Sequence, residues 1–187
     1  LAAIVGAITG FVRSGDHVLV TDNVYGPTRK FCDETLARFG VETTYYDPTI
    51  GAGIADLMRP NTTLVFTESP GSLTFEVQDI PAIAKAAHAR GALVVMDNTW
   101  ASPVYFKPFA HGVDVSIQAA TKYIVGHADA MLGAITAADK AIAARMIGET
   151  QALGICAGTE EMYLGLRGLR TMPVRLQRHW QSGVEVA

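Results

Sequence analysis

Two hydrophobic rhythms alternate along the chain. Helical spacing governs Leu1 to Arg13, Pro27 to about Phe39, Asp79 to Gly91 and Ala138 to Leu153. It returns from Glu160 to about Gln181, with an interruption expected at Pro173. Between these stretches lie short runs rich in β-branched and apolar residues: His17 to Thr21, Val41 to Tyr46, Leu64 to Thr67, Ala92 to Met96, Val113 to Ile117 and Leu132 to Thr136. Ala92-Leu93-Val94-Val95-Met96 is apolar throughout, the pattern of a parallel strand covered on both faces. Punctuation supports the division. Pro27 stands where a helix starts and Gly40 where one stops, and Asp79 precedes a helix with Ile80, Ile83 and Ala87 on one face. The alternation predicts an α/β domain, a mostly parallel sheet covered by helices on both faces. Ligands in such sheets gather at the carboxyl ends of strands, where Tyr25, Ser69, Asp97 and Thr121 would lie.

Composition narrows the function classes. The 187 residues are 49% hydrophobic and 18% charged, enough for the core of one domain-sized unit. A net charge of −3 leaves no basic surplus for nucleic acid or an anionic membrane, and neither is expected as a partner. Leu1 to Val12 is apolar apart from Thr9 but lacks a basic leading segment and is too short to span a bilayer, so a buried helix is expected. Cys32 and Cys156 lie far apart and suggest neither a metal pair nor a disulfide framework. A reducing, cytoplasmic setting is the expectation. The chain starts in mid-helix at Leu1 and ends at Ala187 with no stop signal, so it reads as an internal piece of a longer protein.

The candidate chemistry centres on Asp97 and Lys122. Asp97 closes the apolar run Ala92 to Met96, and Lys122 closes Gln118-Ala119-Ala120-Thr121-Lys122 after the next strand. An acid at the mouth of one buried strand and a lysine after the next suit pyridoxal phosphate, which needs a lysine for its Schiff base and an anion beside its pyridine nitrogen. A blindly chosen lysine is a solvated surface group, but one held in this small-residue segment can lose solvent and act as nucleophile and base. Asp97 alone could simply cap a turn. Tyr25 is either a turn aromatic or a ring stacked on a cofactor face. Thr121 is either a strand-end residue or a phosphate ligand. His127 and Asp129 invite a metal reading, but no second histidine stands at ligand spacing and no metal is expected. Gly6-Ala7-Ile8-Thr9-Gly10 lies within a helix and is no dinucleotide fingerprint, and no Gly-x-Ser-x-Gly elbow is present. Leu166-Arg167-Gly168-Leu169-Arg170 reads as an amphipathic helix with a basic face.

Taken together, Glu68-Ser69-Pro70-Gly71-Ser72, Asp97-Asn98-Thr99-Trp100 and Ser116-Ile117-Gln118-Ala119-Ala120-Thr121-Lys122-Tyr123 resemble the Cys/Met-metabolism family of pyridoxal-phosphate enzymes. Asp22 to Pro27 and Leu166 to Arg175 fit the same pattern, so the resemblance spans the chain. It implies the aspartate-aminotransferase-like large domain of fold type I, incomplete in residues 1–187, with an N-terminal arm and a C-terminal domain outside it. Lys122 is then the Schiff-base lysine, Asp97 the pyridinium partner and Tyr25 the stacking tyrosine with a part in proton handling. Thr121 and the backbone at Leu1 would hold the cofactor phosphate. The implied substrate is a small amino-acid thioether, cleaved by β-elimination; the alternatives are γ-type or sulfhydrylase chemistry, or a truncated, non-catalytic domain that only binds cofactor. The implied assembly is a homo-oligomer, a dimer of dimers. Two positions depart from many members: Ala119 stands where serine is common, and Ser72 where asparagine is common in γ-type enzymes. Arg167, Arg170 and Arg175 do not match the family's substrate-carboxylate arginine.

Overall fold

The computed structural model describes residues 1–187. A six-stranded sheet runs through it in the order β2-β1-β3-β4-β5-β6. The strands are β1 (His17–Thr21), β2 (Glu42–Tyr46), β3 (Thr62–Glu68), β4 (Leu93–Asp97), β5 (Val115–Gln118) and β6 (Ala134–Ala137). The first five are parallel, and β6 returns antiparallel to β5 with Thr136 opposite Ser116. The strands that follow β1 are laid on its two sides, β2 on one and β3 on the other. The crevice above β1 and β3 is therefore a topological switch point, where a ligand fits between diverging connections.

Strand side chains alternate between faces, and here both faces are apolar. Val18, Val20, Leu64, Phe66, Val95, Val115 and Ile117 join Ile4, Ile8, Phe31, Leu36 and Met146 in one core. That face is covered by α1 (Ala2–Thr9), by α2 (Gly26–Lys30) with the π-helical stretch Phe31–Leu36 that continues it, and by α5 (Lys140–Ala152) once the chain has passed α3 (Ile80–His88) and the short α4 (Ser102–Tyr105). Leu19, Val65, Val94 and Met96 point the other way, against Ile54 of the 3-10 segment Gly51–Leu57, Met58 just after it, and Ile80 and Ile83 of α3. The expected mostly parallel sheet with helices on both faces is what the chain forms.

The caps explain the boundaries. The Asp79 carboxylate accepts the Ala82 N–H at 3.1 Å and starts α3, and Asp139 accepts the N–H groups of Ala141 and Ile142 at 2.8 and 2.9 Å and starts α5. Gly40, at φ +77, ends the helix before β2 in the left-handed region that glycine enters freely. The interruption expected at Pro173 falls instead at Arg170–Thr171, between α6 (Thr159–Leu169) and α7 (Met172–Val186). Pro173 lies in the first turn of α7, where a missing N–H costs no helical bond, so it begins a helix rather than breaking one. No helix is long and apolar enough to cross a membrane.

Candidate active site

Asp97 is the last residue of β4 and shares the α1 face with Val95. It is only 6% exposed. Its Oδ1 accepts the Thr99 backbone N–H at 3.0 Å and the Thr99 hydroxyl. Burial pushes the carboxyl up from its ordinary range, and the two Thr99 donors act against that shift by favouring the charged form. Its second oxygen accepts no bond from the protein, so this carboxylate is held from one side and open on the other.

Thr99 also reaches the next strand. Its hydroxyl accepts the Ala119 N–H at 2.7 Å, the Asn98 N–H donates to the Ile117 carbonyl at 2.9 Å, and the Gln118 side-chain amide donates to the Asn98 carbonyl at 2.9 Å. The exits of β4 and β5 are thereby stitched together. The turn carrying Lys122 follows, closed by the Lys122 N–H on the Ala119 carbonyl at 2.8 Å. The sequence pair Asp97 and Lys122 is thus brought to one edge of adjacent strands. The desolvation expected for Lys122 is not found. It stands on an exposed rim with Gly126 and His127, and its amine takes part in none of the salt bridges.

Tyr25 follows β1 at the same edge, 44% exposed, at the start of α2. Its backbone N–H donates to Glu68 Oε2 at 2.9 Å. Glu68 ends β3, is 4% exposed, and is the exact cross-strand partner of Asp97 in the sheet register. Burial first, and the negative charge of Asp97 second, push the Glu68 carboxyl up to about 8, with the Tyr25 N–H acting the other way. In the sequence, Glu68 and Thr99 stand within the quoted motifs but carry no role of their own. An acid closing a buried strand, as Asp97 does, was the available signal for the first; Asp-x-Thr spacing was the signal for the second.

An acid open on one side, a free lysine and an exposed tyrosine ring share this edge with the start of α1. The whole chain, residues 1–187, matches the family described as Cys/Met metabolism PLP-dependent enzyme. The chain belongs to that family. It is 47% identical over 189 residues to the cystathionine beta-lyase of Escherichia coli, covering 100% of this chain and 47% of that protein. It is 42% identical over 188 residues to the L-alanine/L-glutamate racemase of Wolbachia pipientis, with 100% and 46% covered. Among solved structures, cystathionine gamma-lyase from Lactobacillus plantarum superposes with a TM-score of 0.95 at 31% identity, over 99% of this chain and 49% of that one. The chain spans about half the length of the relatives it matches.

The remaining candidates of this family member fall into two groups. Leu1 precedes the first turn of α1 and is exposed. The Thr121 hydroxyl is engaged with the backbone, accepting the Leu132 N–H at 2.8 Å and donating to the Leu132 carbonyl at 3.2 Å. A phosphate contact there would replace one of these bonds. Ser69 is buried and accepts the Gln78 N–H at 2.9 Å, and Gln78 in turn donates to Thr21 and accepts from the Tyr46 hydroxyl, so Ser69 holds a loop rather than facing a ligand. His127 donates Nδ1–H to the Val125 carbonyl at 2.6 Å, and Asp129 is paired with Arg167, so each is engaged by another partner. No three His, Cys, Asp or Glu side chains come together as a metal-binding group.

The basic stretch after Leu166 proves to be structural. Arg175 donates to the carbonyls of Tyr123 at 2.8 Å, Ile124 at 3.3 Å and Gly168 at 2.8 Å, clamping the lysine-bearing turn to the α6–α7 junction. A side chain at Gly168 would collide with the carbonyl oxygens of Ile124 and Val125. The close approach of backbone to backbone explains that glycine.

Proposed function

We propose that the protein containing this chain is a PLP-dependent carbon–sulfur lyase that converts cystathionine and water to homocysteine, pyruvate and ammonia by β-elimination. The observation that carries this reading is the buried Asp97 carboxylate, fixed through Oδ1 by Thr99 and open at its other oxygen, one strand from the free Lys122 amine. A ring N–H fits that open oxygen. Pyridoxal phosphate, when bound, supplies a sink for the negative charge that builds at the substrate α-carbon. Asp97 would hold the ring nitrogen protonated, and the Tyr25 ring would cover one face of the cofactor. The Thr121 hydroxyl and the backbone N–H groups at the start of α1, by Leu1, would hold its phosphate. Lys122 Nζ would take the proton from the substrate α-carbon, and Lys122 or Tyr25 would return one to the departing sulfur. The relatives named cystathionine beta-lyase support the substrate. A homotetrameric assembly and a cytoplasmic setting complete the proposal, the latter supported by two free cysteines.

The Wolbachia relative supports a second reading, in which Lys122 takes the α-proton, a proton is delivered to the opposite face of the α-carbon, and an amino acid is racemised. One experiment separates the readings. The full-length protein is supplied with pyridoxal phosphate and either cystathionine or L-alanine. Pyruvate from cystathionine is expected; 2-oxobutyrate would assign γ-elimination, and loss of optical activity from L-alanine without pyruvate from cystathionine would assign the racemase. Lys122→Ala should abolish the yellow, borohydride-reducible adduct, and its persistence on the variant would overturn the assignment of that lysine.

A further inference from the structure

We infer that Glu68 is a positioning residue of the cofactor site, a neutral carboxylic acid that leaves the buried negative charge to Asp97 and fixes the backbone of Tyr25. The inference rests on the roles proposed above for Asp97 and Tyr25. Its geometric basis is the register of β3 and β4, in which Glu68 and Asp97 are direct neighbours. Alternation places Glu68 with Leu64 and Phe66, and Asp97 with Val95, so both carboxyls leave the sheet on the α1 face. Both are buried, at 4% and 6% exposure. Two like charges on paired positions in a water-poor crevice repel strongly, and one of the pair keeps a proton.

The donors decide which one. Asp97 receives two, the N–H and the hydroxyl of Thr99, while Glu68 receives one, the Tyr25 N–H at 2.9 Å. More donors favour the charged form, so the charge resides on Asp97 and the proton on Glu68. The shift of the Glu68 carboxyl agrees in direction. Other charged groups do not reverse the choice. Glu76 is engaged with Asn23, and Asp22 is paired with Arg29. Thr21, Asn23 and Gln78, which pack around this corner, are neutral, and Lys122 lies beyond Asp97 at the end of β5. A cationic ring nitrogen would thus meet one negative charge, not two. The same Glu68 carboxyl fixes the start of α2 from across the switch point and with it the place of the Tyr25 ring.

The test uses the full-length protein as wild type, Glu68→Gln and Glu68→Ala. In cofactor-free protein, the infrared difference between wild type and Glu68→Gln should contain the carbonyl stretch of a protonated acid at pH 7. That band should fade as pH rises through about 8. Carboxylate bands alone at pH 7 would overturn the inference, and this arm needs no cofactor. In the second arm, pyridoxal phosphate is titrated into each protein and followed by absorbance. Glu68→Gln, which stays neutral and still accepts a bond, should bind within about threefold of wild type, and Glu68→Ala should bind at least about tenfold more weakly. Equal weakening of both variants would overturn it. If Glu68→Ala does not fold, the Gln variant and the infrared band still decide. If wild type forms no adduct on Lys122, the cofactor reading fails by itself while the infrared arm still reports on Glu68.

Discussion

Thr99 does two jobs with one hydroxyl. It donates to Asp97 and accepts from the Ala119 backbone, so the orientation of the acid and the start of the lysine-bearing segment depend on one oxygen. Thr99→Val should leave the half-buried Ala119 N–H without its acceptor and cost about 1 kcal/mol of stability, measured by urea unfolding, with Thr99→Ser restoring most of it. Asp97→Asn keeps the shape but removes the charge. Elimination should slow by about 100-fold or more at saturating cofactor, read as pyruvate release. Asp97 was legible in the sequence because an acid interrupts an otherwise apolar strand. Local pattern marks Thr99 only as a turn residue and Glu68 only as a strand-end acid, because their roles lie with partners distant in sequence: Ala119, just after β5, for one and Asp97 for the other.

Elements carry a second level of control. The clamp from α7 onto the Tyr123 and Ile124 carbonyls should make Arg175→Met speed hydrogen exchange in residues 123–126 far more than in β4. At the opposite end of the sheet, His17 opens β1 fully buried, its Nδ1 paired with the Thr62 hydroxyl at 2.8 Å and Nε2 with the Thr44 hydroxyl at 2.9 Å. Burial first, and the Arg59 charge second, lower its pKa, with Glu42 acting against them. The unfolded chain therefore binds the proton more readily, and stability is lost as pH falls below about 6.5 toward the lower folded value. His17→Gln should flatten that part of a urea-midpoint-versus-pH curve. The helix at Asp79 was readable from its cap and apolar spacing, because both signals are local. Where Pro173 sits within its helix was not, because a proline fits a first turn as readily as it ends a helix.

For the molecule as a whole, the two apolar faces divide labour. Ile83 lies in the core on the side away from Asp97 and is fully buried. Ile83→Ala should cost about 2–5 kcal/mol in urea unfolding while leaving cofactor affinity at subsaturating denaturant unchanged. Glu68 gives the cofactor-free molecule an opposite pH response to that of His17. Its folded pKa is raised to about 8, so stability present in mild acid is lost as pH rises from about 4.3, the ordinary value for a glutamate, through that value. Five parallel strands were legible because each is a compact run rich in apolar, β-branched or aromatic residues, and the helices between them follow from alternation. The switch at β1, the reversal of β6 and the pairing of the two acids needed strand order and register, which no local pattern carries. That reversal also shapes what the fold can become. Thr121 and Leu132 fasten the two ends of the lysine-bearing excursion to each other. The chain between them is a closed ring whose length the sheet does not register, and doubling such a ring costs only about 0.6 kcal/mol in closure entropy. Its exposed tip near Ala128 is therefore where inserted residues should cost the fold least.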